Sequence, residues 1–110
     1  MNPLLRSAAL FAVAAVAEIG GGYLMWRWLR HERGVAVGIA GAALLACYGA
    51  LATLQSAPFG RTYAAYGGVF IAASLLWGWL ADGIRPDSPD VAGGALCLMG
   101  AAIIMYWPRS

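Results

Sequence analysis

One acid stands alone in an apolar stretch. Phe11–Met25, FAVAAVAEIGGGYLM, holds Glu18 near its middle and no other charge. If that run crosses a bilayer, the carboxylate lies near the midplane, where a charged side chain costs roughly 3 kcal/mol or more. Stability does not select such a residue, so the position is read first as a functional site. An acid there can hold a proton or pair with an organic cation, but not both at once. Mutual exclusion at one carboxylate couples two fluxes, a proton moving in as a cation moves out. Ala14, Ala15, Gly21, Gly22 and Met25 share one side with Glu18 at helical spacing, and the small ones leave room beside it. Further along, Tyr63, Tyr66 and Phe70 recur on one helix face. Tyrosine hydroxyls can hydrogen-bond a carboxylate, and aromatic faces attract cations. A structural reading stands beside this one. Glu18 can be neutral and hydrogen-bonded, fixing helix register, or it can pair with Arg61, and interfacial aromatics are commonly anchors.

The elements that must carry these residues follow from composition. The chain has 110 residues, 62% of them hydrophobic and 11% charged, where about a quarter charged is usual. Its mean hydropathy is +0.71. A water-soluble domain this small needs polar groups to cover its surface, and this chain lacks them, so the class is integral membrane protein. The net charge of +2 is spread over scattered arginines, which argues against a nucleic-acid partner. The Ala, Gly and Arg bias suggests a GC-rich bacterial gene. Cys47 and Cys97 fall inside apolar runs and read as packing residues, and His31 sits in a charged turn. No nucleophile–base pair, metal-ligand cluster or phosphate loop is recognisable. Gly20-Gly21-Gly22 lies within a span and no lysine follows it. The expectation is therefore no enzyme, no cofactor and no metal.

The pattern predicts an all-α membrane protein, one four-helix domain over residues 1–110. Its spans are expected at about 7–29, 35–54, 62–81 and 91–107, joined by short loops that make consecutive helices antiparallel neighbours. Arg6, the apolar run and Ala15-Val16-Ala17 also imitate a signal peptide, but apolar residues continue past that point and three more spans follow. Gly38, Ala42 and Ala46 form a small-residue stripe in the second span. Gly67-Gly68 in the third marks a kink or a close packing contact. Asp90 is the expected N-cap of the fourth span. There Gly93, Cys97, Gly100 and Ala101 supply small residues, either for packing within the chain or for a dimer seam.

With four spans, Arg6, Arg61 and Arg109 share one side and Arg27, Arg30, Arg33 and Arg85 the other. Three against four gives almost no positive-inside signal. A chain inserted both ways can form an antiparallel homodimer, with two Glu18 side chains facing each other.

Several motifs together resemble a known group. Four short spans, Ala17-Glu18-Ile19-Gly20 in the first, and Gly60-Arg61-Thr62-Tyr63-Ala64-Ala65-Tyr66-Gly67-Gly68 opening the third are similar to the small multidrug resistance transporters. The GRTYAAYGGVF stretch, a tryptophan-containing helix and Asp82-Gly83 resemble more closely the YnfA family of small bacterial inner-membrane proteins, over nearly the whole chain. The resemblance implies an inner-membrane protein of the drug/metabolite transporter kind, an antiparallel homodimer in contact with lipid. It implies that Glu18 is the proton- and substrate-coupling acid, that Tyr63 is the tyrosine of the helix-three motif, and that Gly67 and Gly68 fall where that helix bends. Gly21, Gly22, Tyr63, Tyr66 and Arg61 are then the expected cavity lining. Two positions depart from the transporters: Tyr66 stands where they usually have tryptophan, and Arg61 has no counterpart. A guanidinium in the cavity would favour a zwitterionic or anionic substrate.

Three functions compete. The first is proton-coupled export of small cationic or amphipathic compounds through Glu18. The second is a small ion channel, against which the charge-free second span counts. The third is an accessory or structural subunit of a membrane complex.

Overall fold

The structure is a computed structural model and describes Asn2 to Arg109. Among the described residues it contains four helices and no strand: α1 (Pro3–Arg30), α2 (Val35–Ala52), α3 (Phe59–Asp82) and α4 (Ser88–Tyr106). All four are long and apolar enough to cross a membrane. The all-α, four-span architecture expected from the sequence is the one observed.

Three helices begin three or four residues ahead of the apolar runs, because capping residues lie outside those runs. The Asn2 side chain accepts from the Leu4 amide at 2.7 Å, and proline occupies the first turn of α1. Proline belongs there, since its missing N–H would have had no helical partner. α3 starts directly after Pro58 and ends at Gly83, which adopts the left-handed conformation (φ 72°) that glycine reaches without steric cost. α4 starts earlier than Asp90. Asp87 is its N-cap, accepting from the Asp90 amide at 2.9 Å, while the Asp90 carboxylate accepts from the Asp87 amide at 3.2 Å. This is a reciprocal capping box that satisfies two otherwise orphaned N–H groups. The expected cap at Asp90 is thus corrected to Asp87, with Asp90 as its third-position partner.

α2 stops at Ala52, two residues short of the expected 54. The Thr53 hydroxyl bonds the Ala50 carbonyl at 2.6 Å, and Thr53, Leu54 and Gln55 each donate backbone N–H three residues back. Those tighter bonds close the turn. Ahead of the first loop, the last turn of α1 carries Arg27 and Arg30 against the negative end of the helix dipole. Each arginine also lies over an aromatic ring one turn back, Arg27 on Tyr23 at 5.7 Å and Arg30 on Trp26 at 4.7 Å.

Contacts concentrate in two helical pairs, α1 with α2 (Met1–Gln55) and α3 with α4 (Ser56–Ser110). In the first pair, close contacts follow an antiparallel ladder. Gly38 meets the Trp28 ring, Gly41 meets Gly21, Leu24 and Met25, and Leu45 meets Gly21. At the far end, the Ser7 hydroxyl donates to Gln55 Oε1 at 2.8 Å and Gln55 Nε2 donates to the Ser7 carbonyl at 3.0 Å. The α2 seam therefore reads Gly38, Gly41, Leu45, Tyr48, Ala52, Gln55, alternating steps of three and four. That is the spacing of two long helices that stay in contact along their length. Of the expected Gly38/Ala42/Ala46 stripe only Gly38 packs, and Ala42 and Ala46 are exposed. In the second pair Gly68 lies against the Cys97 carbonyl and Ala101, and Gly94 against Leu75.

Outside these seams the helices present bare apolar side chains. Leu80, Leu96 and Ile39 are each about two-thirds exposed or more (78%, 67% and 65%). A water-soluble monomer does not leave apolar surface on this scale uncovered. In a bilayer it is the surface that lipid wets.

Candidate functional site

Glu18 occupies a seam position of α1. Ser7, Phe11, Ala14, Glu18, Gly21, Met25 and Trp28 recur in steps of four and three, and the carboxylate falls between Ala14 and Gly21, both buried. Small neighbours decide what can approach it. Gly21 and Gly41 pack backbone to backbone: a Cβ added at Gly21 would lie 2.8 Å from the Gly41 carbonyl oxygen, and one at Gly41 would lie 2.8 Å from the Gly21 carbonyl oxygen. No side chain separates the helices there. Three residues toward the start of α1 and seven further along α2, this close approach brings the Tyr48 hydroxyl to the Glu18 carboxylate, and the two are hydrogen-bonded. The phenol donates and the carboxylate accepts. Glu18 itself is only half-buried, so the pair is reachable. Beside it Gly22, one turn further along α1, faces open space, with no atom within 4 Å of the place a Cβ would take.

The arrangement holds a single acid by one neutral donor inside an apolar helical pair. A carboxylate has about four lone-pair sites, and one phenol fills one of them. The remainder can accept a proton or a donor from a bound cation. Tyr48 carries no charge of its own, so giving way to a proton or a cation strands no guanidinium in the pair, as displacing an arginine partner would.

The other sequence-predicted residues are placed as follows. Gly21 is committed to the α1–α2 contact, and Gly22 stands beside open space. On α3, Tyr66 is buried and Tyr63 partly exposed. Their rings meet edge to face with centroids 6.3 Å apart, and Phe59 stacks on Tyr63 at 4.3 Å. The aromatic row is therefore Phe59–Tyr63–Tyr66, with Phe70 exposed to much the same degree as Tyr63. Arg61 is exposed in the first turn of α3. α3 is helical without interruption through Gly67 and Gly68. Gly68 serves the close contact with α4, while Gly67 has open space beside it. On α4, Cys97 and Ala101 pack against Gly68, and Gly93 and Gly100 meet nothing within 4 Å. Sequence reasoning missed Tyr48, Gly41 and Phe59. The three-and-four spacing of Gly38, Gly41, Leu45 and Tyr48 was the available signal for the first two.

Comparison with known proteins matches residues 4–110 to the family model described as "Uncharacterised BCR, YnfA/UPF0060 family". The chain belongs to the YnfA/UPF0060 family. It is similar to a UPF0060 membrane protein of Herpetosiphon aurantiacus, 56% identical over 108 residues that cover 96% of this chain and 98% of that one. It is 53% identical to the UPF0060 membrane protein YfjF of Bacillus subtilis over 107 residues, 96% of this chain and 98% of the relative. A relative from Frankia casuarinae is 59% identical over 108 residues, 96% and 97% of the two chains. No solved structure matches. As a YnfA/UPF0060 member with four membrane-capable helices, the chain is a multi-pass protein of the bacterial plasma membrane.

Proposed function

We propose that this membrane protein exports small cationic or amphipathic compounds in exchange for protons, with Glu18 as the shared site, and that it works as a homodimer of oppositely inserted copies. The observation that carries the reading is a reachable carboxylate in the middle of a membrane-spanning helix, held by a donor that can let go. The near-equal division of arginines between the two sides, three against four, supports dual insertion. Gly93 and Gly100, one above the other on α4 with open space beside them, suit a contact with a second copy.

The Tyr48 hydrogen bond also favours a second reading, in which the Glu18–Tyr48 pair only fixes the register of α1 on α2. Proton release separates the two. Protein in weakly buffered detergent receives quaternary ammonium, guanidinium, polyamine and anionic compounds in turn, beside the Glu18→Gln variant. Export predicts release on adding a cation, no release from the variant, and an unfolding temperature of the variant close to that of the parent. Absence of release from every compound, together with a destabilised variant, would establish the structural reading instead.

A further inference from the structure

The α3–α4 pair carries an open groove of about 310 Å³ that the proposed exchange does not use. That size is at the lower end for ligand pockets. Ala72, Leu75 and Trp79 line one wall, and Asp90, Gly94 and Leu98 the other. From residue 72 to residue 79 is seven helical steps, about 10 Å. The groove thus runs from the apolar interior of the helices up to the α3–α4 turn. Its polarity is graded along that length. The deep end is lined by alkyl groups. At the turn the lining includes Pro86, and the preceding residue, Arg85, sets its guanidinium 6.0 Å from the Trp79 ring centroid. On the facing wall Asp90 accepts from the Asp87 amide through Oδ2, which leaves Oδ1 to accept a further donor. An apolar channel with a carboxylate in its lining and a cation over its Trp79 wall complements an amphiphile whose head carries both signs.

We infer that this groove binds one acyl chain of phosphatidylethanolamine, with the lipid phosphate at Arg85 and its ammonium donating to Asp90. At Gly94 the two walls come close, since a Cβ there would make ordinary contact with Leu75 Cδ1 at 3.5 Å. The charge pattern selects the headgroup. An anionic glycerol headgroup satisfies Arg85 but meets Asp90 with no positive charge. A trimethylated ammonium has the charge but no N–H to donate.

The test is lipid retention. Protein is purified through detergent supplemented with equal amounts of phosphatidylethanolamine, phosphatidylcholine and phosphatidylglycerol, and the retained lipid is counted per chain by mass spectrometry. The expected result is preference for phosphatidylethanolamine over its trimethylated counterpart by about tenfold, the scale of one charge-assisted hydrogen bond. Ala95→Phe fills the groove from an exposed position and should abolish the retention with helicity unchanged. Arg85→Gln leaves the groove open and should reduce retention of every phospholipid. Equal retention of the three lipids, or full retention by Ala95→Phe, would overturn the inference. So would displacement of the lipid from the groove by a soluble amphipathic cation at lower concentration.

Discussion

The reciprocal packing of Gly21 and Gly41 makes a quantitative prediction about non-additivity. Gly21→Ala places a methyl 2.8 Å from the Gly41 carbonyl oxygen, 2.9 Å from Leu45 Cγ and 3.0 Å from the Leu45 amide nitrogen. A carbon–oxygen contact relaxes near about 3.4 Å, so the helices must part by about 0.6 Å. The obstacle is backbone, which cannot rotate aside as a side-chain tip can. Overpacking of this kind costs about 1–3 kcal/mol. Gly41→Ala meets the same obstacle from the other side and should cost a similar amount. Once one methyl has parted the helices, the second enters space already opened. The double variant should therefore cost less than the sum of the two, by about 1 kcal/mol or more, as residues in direct contact do. Equilibrium unfolding in mixed micelles, followed by helicity, measures all three. Strict additivity, or either single variant as stable as the parent, would refute the claim that these two backbones touch.

Three further outcomes follow from the same geometry. Gly68→Ala drives a methyl into the Cys97 carbonyl and should destabilise the α3–α4 pair by about 1–3 kcal/mol, whereas Gly67→Ala, with open space beside it, should be within about 0.5 kcal/mol of the parent in the same unfolding assay. Asp87→Ala removes the cap of α4 and should cost about 0.5–2 kcal/mol, visible as faster amide exchange in the first turn of that helix. Tyr48→Phe deletes one interhelical hydrogen bond and should cost only about 0.6 kcal/mol, the average for such bonds inside membranes. In the export reading that variant retains cation-driven proton release, and its loss would make Tyr48 indispensable to the exchange.

The spans are legible because hydropathy is an average over many residues, and no single position decides it. Where the helices start is less legible. Asn2, Pro58 and Asp87 lie outside the apolar runs, so a reading led by hydropathy passes over them. The segment Asp87-Ser88-Pro89-Asp90 does carry the capping-box and first-turn proline pattern, but hydropathy favours its second acid, which borders the apolar run, over its first. Glu18 is legible as a residue out of place in its environment. Its partner is not. Tyrosines and an arginine on the third span draw attention first, while Tyr48 sits in a span that looks featureless because it has no charge. Small residues at every fourth position also point to Ala42 and Ala46, which rotate away from α1. The alternating three-and-four step that keeps a face toward one partner runs instead through Gly41 and Tyr48.

The Ser7–Gln55 clasp closes one end of the α1–α2 pair and joins residues near the two ends of its sequence. Everything that holds Glu18 within that pair, from Gly41 to Tyr48, lies between those residues in sequence. During synthesis, every atom of that environment exists once residue 55 is made, before the first turn of α3 has been translated. The acid can therefore be enclosed early, while the insertion machinery still holds the chain. Its hydrogen-bond partner Tyr48 thus comes from the very next span, with nothing from α3 or α4 required.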